Sequence, residues 1–191
     1  MENVARLNLP PQTMETASEK GRAILETAKK QVGFIPNMYA NMVNSPGVLE
    51  TYLTGYRLFR ESGAFSAPEQ EVIFLSISLE NGCTYCMAAH SMIADKASKV
   101  PADVIAAIRG NKEIIPDAKL RALSAFARTM VRSRGMPSDA DVEHFKSAGY
   151  TDRHVLEIVL AIAVKTLSNY SNHLFGTEVD KPFADYRWTP A

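Results

Sequence analysis

The sequence predicts an all-α fold. Apolar residues recur at helical spacing along most of its 191 residues, and Gly and Pro punctuate those runs. No stretch alternates Val, Ile, Thr and aromatic residues with polar ones in the period-two manner of a half-buried strand.

Residues about 17 to 31 read as the first helix, broken by Gly33-Phe34-Ile35-Pro36-Asn37, and a short helix follows to Val43. Ser45-Pro46 opens the next helix, whose apolar stripe runs through Leu49, Tyr52, Leu53, Tyr56 and Phe59 until Gly63 ends it. Ser66-Ala67-Pro68-Glu69 fits a capping box, which puts Glu71 in the first turns of a helix reaching Glu80. Asn81-Gly82 is a stop signal, and a new helix begins at the cysteine pair directly afterwards. Further helices are expected near Pro101 to Arg109, Asp117 to Arg134, Ser138 to Ala148 and Thr151 to about Phe175. The tail from Asp180, with Pro182 and Pro190, is expected to be extended. Met38, Tyr39, Met42 and Val43, like the tail with its Trp188, are candidates for an exposed subunit contact, with core packing the simpler reading.

The length fits a single domain spanning residues 1–191. Sliding the chain by 83 residues lays Glu69-Gln70-Glu71-Val72-Ile73 over Asp152-Arg153-His154-Val155-Leu156 and His90 over His173. This is the pattern of an internal duplication, with a thiol-bearing half at about 30–110 and a thiol-free half at about 111–180, where Cys83 and Cys86 meet Thr166 and Asn169. Chance similarity of two amphipathic helices is the alternative.

Composition narrows the partners. Lys plus Arg equals Asp plus Glu at 21 each, so no global field gathers nucleic acid or anionic lipid. The apolar run Val155 to Leu167 is interrupted by Glu157 and Lys165, too short for a membrane span and better read as a buried helix. No apolar leader stands near the N-terminus, which makes a cytoplasmic location the expectation. Two cysteines three positions apart do not describe a secreted disulfide scaffold, and in a reducing compartment such a pair means redox chemistry or metal binding.

Cys83-Thr84-Tyr85-Cys86 is therefore the candidate reactive motif, with His90 four residues beyond Cys86 on the same helical face. A thiol must lose its proton to become a nucleophile. The helix N-terminus favours an anion at both cysteines, His90 can accept the Cys86 proton, and Glu71 can orient that imidazole. Tyr85 is a candidate to line the pocket, and Tyr170 and Phe74 are candidates to shape it. His173 reads as structural, and His144 and His154 as surface positions.

The spacing of Glu71, Cys83, Cys86 and His90 resembles the Glu, Cys-x-x-Cys, x-x-x-His signature of the alkyl hydroperoxidase D (AhpD)-like, carboxymuconolactone decarboxylase superfamily. Gly33-Phe34-Ile35-Pro36-Asn37 and Asn169-Tyr170-Ser171-Asn172-His173 are similar to segments of its peroxidase-related members. The resemblance implies an AhpD-like helical domain with internal duplication, a trimer or hexamer, and no dissociable cofactor. It also implies a relay from Cys86 through His90 to Glu71, with Cys83 the more exposed sulfur and a hydroperoxide as substrate. The reductant would be a dithiol or lipoyl-type protein. The family's best-known pattern has a histidine between the cysteines, where this chain has Tyr85.

Three functions follow from these residues. One is a thiol-dependent peroxidase or disulfide oxidoreductase. Another is a non-enzymatic helical or redox-sensing module whose Cys83, Cys86, His90 and Glu71 hold structural zinc. The last is a lactone decarboxylase, against which the paired sulfurs argue.

Overall fold

A computed structural model describes residues 4–112 and 114–190, and among them there are helices and no strands. Nine α-helices follow one another among these residues: α1 (Glu19–Val32), α2 (Asn37–Met42), α3 (Pro46–Glu61), α4 (Ala67–Glu80), α5 (Thr84–Lys96), α6 (Ala102–Arg109), α7 (Ala118–Arg132), α8 (Asp139–Ser147) and α9 (Asp152–Phe175). A 3-10 helix, Lys181–Tyr186, closes the described chain.

Helix α4 is the axis of the bundle. Every residue from Gln70 to Ser78 is buried, so this helix has no solvent face and its apolar residues pack in all directions. Helices α5, α6, α7 and α9 surround it, α3 lies along α9, and α2 fills the angle between α3 and α9. Stacked rings of Phe126, Phe145 and Tyr150, with centroids 4.2 and 4.5 Å apart, pin α8 against α7.

Local chemistry sets the helix ends. Ser18 accepts the Gly21 amide at 3.2 Å, and Asp117 accepts that of Leu120 at 2.8 Å. The Glu69 carboxylate accepts the Ser66 amide at 2.9 Å and so orients the start of α4. At the other end of α4, Gly82 takes φ +65°, a conformation other residues adopt at a cost, and the Cys83 amide turns back onto the Ser78 carbonyl at 2.9 Å. Helix α5 can then start at once, which puts the cysteines at a helix N-terminus beside the end of α4. Under the 83-residue shift the unbroken α9 lies over both α4 and α5, so the Gly82 break has no counterpart there.

Gly55 of α3 faces α9 so closely that a Cβ there would lie 2.9 Å from Val164 Cγ2. The C-terminal segment is also anchored: Trp188 Nε1 donates to the Arg109 carbonyl at 2.7 Å, and Arg109 donates to Ser91 Oγ at 2.7 Å and to the Tyr186 carbonyl at 3.0 Å.

Two sequence expectations are corrected and, between them, one pair of alternatives is decided for the simpler reading. The tail is not extended after Asp180 but winds into the 3-10 helix, because Asp180 and Phe183 are both buried against the body of the protein. Met38, Tyr39, Met42 and Val43 are buried, being covered by α3 and α9, so they are core and not an exposed face. His154 is half-buried: its Nδ1 accepts the Thr151 amide at 3.0 Å, its Nε2 lies 3.0 Å from the Ala64 carbonyl, and its ring meets Phe65. No helix among the described residues is long and apolar enough to cross a membrane.

Candidate active site

Helix α4 brings Glu71 to the centre of the protein, where the carboxylate has no solvent exposure. One oxygen lies 2.8 Å from His90 Nδ1 and the other receives the Arg60 guanidinium. Arg60 also donates to Tyr56 Oη at 2.7 Å and to Gln70 Oε1 at 3.0 Å, and it lies over the Tyr56 and Phe74 rings. Burial alone would raise the Glu71 pKa, but His90 and Arg60 outweigh it and hold the carboxyl below its ordinary value. Burial and then the charge of Lys165 lower the His90 pKa, against the pull of Glu71. The neutral ring donates from Nδ1 to Glu71, which leaves Nε2 as its acceptor.

Cys83 sits at the N-cap position of α5 and Cys86 in its first turn. Both are free thiols and both are buried, at 0% and 2% exposure. Cys83 is therefore not the more exposed sulfur, because Asn172 and the turn at Gly82 cover it. The Asn172 amide nitrogen reaches both sulfurs, at 3.4 Å from Cys86 and 3.8 Å from Cys83, and Ser168 Oγ lies 3.8 Å from Cys86. Burial raises the pKa of Cys83 and its hydrogen bond to Cys86 raises it further. Cys86 is pulled below the ordinary cysteine value despite burial, first by Cys83 and then by the charge of Lys165. The two sulfurs are thus inequivalent: the surroundings lower the Cys86 pKa and raise that of Cys83.

An apolar cavity of about 150 Å³ opens beside Cys86 and His90. Tyr39, Tyr52 and Tyr56 form one wall, and Tyr85, Ile93 and Phe183 form another. Tyr85 donates to Asp180 at 2.5 Å, and Asp180 also accepts the Asn37 amide at 3.1 Å, so the C-terminal segment and α2 are tied together over the site. Burial raises the Tyr39, Tyr52 and Tyr85 phenol pKa values, which keeps these hydroxyls neutral. Phe74 lies under the His90 ring at 4.9 Å between centroids.

Glu71, Cys83, Cys86, His90 and Tyr85 thus converge, as does Phe74. Tyr170 does not: it is 55% exposed and borders a different hollow, with Arg134 and Val159. His144 is exposed, and His173 stacks on Tyr170. No group of three or more His, Cys, Asp and Glu side chains among the described residues could hold a metal ion, and Glu71 is already committed to Arg60 and His90. The four proposed zinc ligands therefore do not form a zinc site. Arg60, Lys165, Ser168, Asn172 and Asp180 were not read as site residues. Of these, Lys165, Ser168 and Asn172 share one face of α9 at positions i, i+3 and i+7, a periodicity that marks them as a set.

The electrostatics predict an acid-sensitive fold. A histidine held neutral in the fold gains its proton on unfolding, so below about pH 6.5 the unfolded chain binds more protons and stability falls until pH reaches the lower folded value. Glu71, whose folded pKa is also lowered, adds a second loss below about pH 4.3, where unfolded glutamate protonates. Melting temperature followed from pH 8 to about pH 3 is expected to fall in both windows. In His90→Gln the upper decline should flatten.

Residues 46–129 match the Carboxymuconolactone decarboxylase family. No curated protein matches the chain. Among solved structures, a peroxidase-related protein with an alkylhydroperoxidase AhpD core from Ralstonia eutropha JMP134 is 23% identical, with a TM-score of 0.79 over 92% of this chain and 93% of that one. A peroxidase-related protein from Silicibacter sp. TM1040 is 20% identical, with a TM-score of 0.75 over 94% and 93%. The debrominase Bmp8, as a cysteine-to-alanine variant in complex with 2,3,4-tribromopyrrole, is 17% identical, with a TM-score of 0.76 over 94% and 95%. These likenesses establish a shared fold.

Proposed function

We propose that this chain, a member of the AhpD/carboxymuconolactone decarboxylase superfamily through residues 46–129 and its AhpD-like fold, is a thiol-dependent peroxidase acting on compact apolar hydroperoxides. The observation that carries the reading is the buried Cys86 sulfur lining an aromatic cavity beside His90, with the second buried thiol, Cys83, sharing its Asn172 contact. The Cys86 thiolate attacks the outer peroxide oxygen; the O–O bond breaks, Cys86 becomes a sulfenic acid, and an alkoxide leaves. His90, protonated from solvent through Nε2 and held by Glu71, passes a proton to that alkoxide. Cys83 then attacks the sulfenic sulfur, releasing water and forming the disulfide. An external dithiol, free or lipoyl-type on a protein, returns two electrons and two protons.

Cavity size supports a small substrate. About 150 Å³ is the volume of an apolar cavity that takes one benzene-sized molecule, so a short branched or aryl hydroperoxide fits and a long acyl chain does not. The same walls favour a second reading, reductive dehalogenation of a small ring. There the Cys86 sulfur takes the halogen while the ring carbon gains a proton, and Cys83 then displaces halide and its own proton as the disulfide forms, the two thiols supplying the two electrons. The aromatic lining, and the likeness to a fold that binds 2,3,4-tribromopyrrole, support it. Cytoplasmic location and self-association belong to the same proposal, with Leu156, Val159, Tyr170 and Leu174, exposed along α9, as the self-association face.

Titrating free thiols on the reduced protein tests the reading. One equivalent of cumene hydroperoxide should consume two thiols, and dithiothreitol should restore them. If the thiols resist hydroperoxide but are consumed by 2,3,4-tribromopyrrole with bromide release, the dehalogenase reading replaces it.

A further inference from the structure

Lys165 occupies an unusual position. It is 1% exposed on α9, its ammonium has no hydrogen-bond partner, and it lies over the Phe74 ring, 5.3 Å from Nζ to centroid. Burying a lone ammonium is costly by several kcal/mol, so the fold keeps it only if something offsets the charge. On the same helix face, one turn on, Ser168 lies against the Cys86 sulfur, and two turns on Asn172 donates to it. The ammonium and the sulfur pair therefore lie along one buried face of α9.

The charges around that face can be paired off. From α3 come Arg60 and the neutral phenols of Tyr52 and Tyr56, and from α4 comes Glu71, which closes on Arg60 and His90. From α5 come His90, Cys83, Cys86 and Tyr85. From the C-terminal segment comes Asp180, which is satisfied by Tyr85 and the Asn37 amide. Glu157, also on α9, lies eight residues away, roughly 12 Å along the axis, and is out of reach. Among the described residues, one cation, Lys165, and the sulfur pair remain, and of the two sulfurs Cys86 is the one that Ser168 and the closer approach of Asn172 also face.

We infer that Lys165 is the counter-ion of the Cys86 thiolate and thereby makes the Cys83–Cys86 disulfide a strong oxidant. This rests on the assignment of Cys86 as the anionic sulfur in the reading above. When Cys86 thiolate and Cys83 thiol give up two electrons to a hydroperoxide, one proton is released and the S–S bond replaces the anion. The ammonium then stands beside an uncharged disulfide. Its presence favours the reduced pair over the oxidised one, so the external dithiol regenerates the site readily. Lys165 touches no substrate in this scheme; it is a positioning residue acting through Cys86.

The test uses Lys165→Met, and Lys165→Gln as a polar variant of similar length should the first fail to fold. Ultraviolet thiolate absorbance and the pH profile of alkylation, mapped to Cys86 by mass spectrometry, report its ionisation. Equilibration with a glutathione redox buffer reports the disulfide. Removing the charge should shift the Cys86 profile upward by about one pH unit, a tenfold loss of thiolate below it. It should also make the disulfide about tenfold harder to reduce, roughly 30 mV more negative. An unchanged profile and equilibrium in a folded variant overturns the inference. So does a wild-type Cys86 that ionises only in the ordinary cysteine range, since no anion would then stand beside the ammonium. None of these readings involves hydroperoxide turnover, so a protein that ignores peroxides but shows both shifts loses the peroxidase reading alone.

Discussion

Serine at position 86 is expected to abolish hydroperoxide consumption, a loss of at least about a thousandfold in kcat/KM. Among the described residues that line the aromatic cavity, Cys86 carries the only thiol, and its surroundings favour the anion. Serine is nearly isosteric, and Asn172 and Ser168 can still contact its hydroxyl, so the fold should be kept while the nucleophile is lost. Cys83→Ser should behave differently. Cys86 would still be oxidised once, consuming a single equivalent, and a sulfenic acid would be detectable by mass spectrometry, but no disulfide would form and turnover would stop. The reverse pattern, with single oxidation surviving in Cys86→Ser, would exchange the roles of the two sulfurs.

Truncating Glu71 to alanine should cost about 3 to 5 kcal/mol of stability, the typical loss when one partner of a buried ion pair is removed. Arg60 would keep a desolvated guanidinium facing an empty space, and His90 Nδ1 would lose its acceptor. Urea unfolding measures this directly. The cost comes from abandoning Arg60 rather than from the worth of the pair, so the double variant Glu71→Leu with Arg60→Met should recover much of it. That double variant should nevertheless be a poor peroxidase, because the imidazole would have nothing to fix its tautomer. Equal stability losses in the single and double variants would mean that packing around Arg60, not charge, dominates there.

The chemistry of α5 was legible because it is local. Cys83, Cys86 and His90 are spaced within one helix, and the Ser66–Glu69 cap and Gly82 turn announce where the helices begin and end. What faces them was not legible, for a physical reason in each case. Lys165 reads as a polar interruption of an apolar run, and only the packing of α9 onto α4 makes it an interior charge. Arg60 lies 11 residues before Glu71, on a different helix, with no periodicity linking them. Asp180 and Pro182 carry the signals of an exposed extended tail, yet Asp180 is buried because it satisfies two donors that would otherwise be stranded, the Tyr85 hydroxyl and the Asn37 amide. Cys83 was expected to be the accessible sulfur on family pattern, and it is sealed by Asn172, which comes 89 residues later.

The contact between Gly55 and Val164 reaches further than helix packing. Val164 immediately precedes the buried lysine, so the bare backbone at position 55 sets how deeply that stretch of α9 presses toward the sulfurs. A hydrogen atom on α3 thus acts as a spacer for the sulfur pair. Any side chain there, even a methyl group, would act as a wedge and change the distance between ammonium and sulfur from the far side of the helix, without touching either.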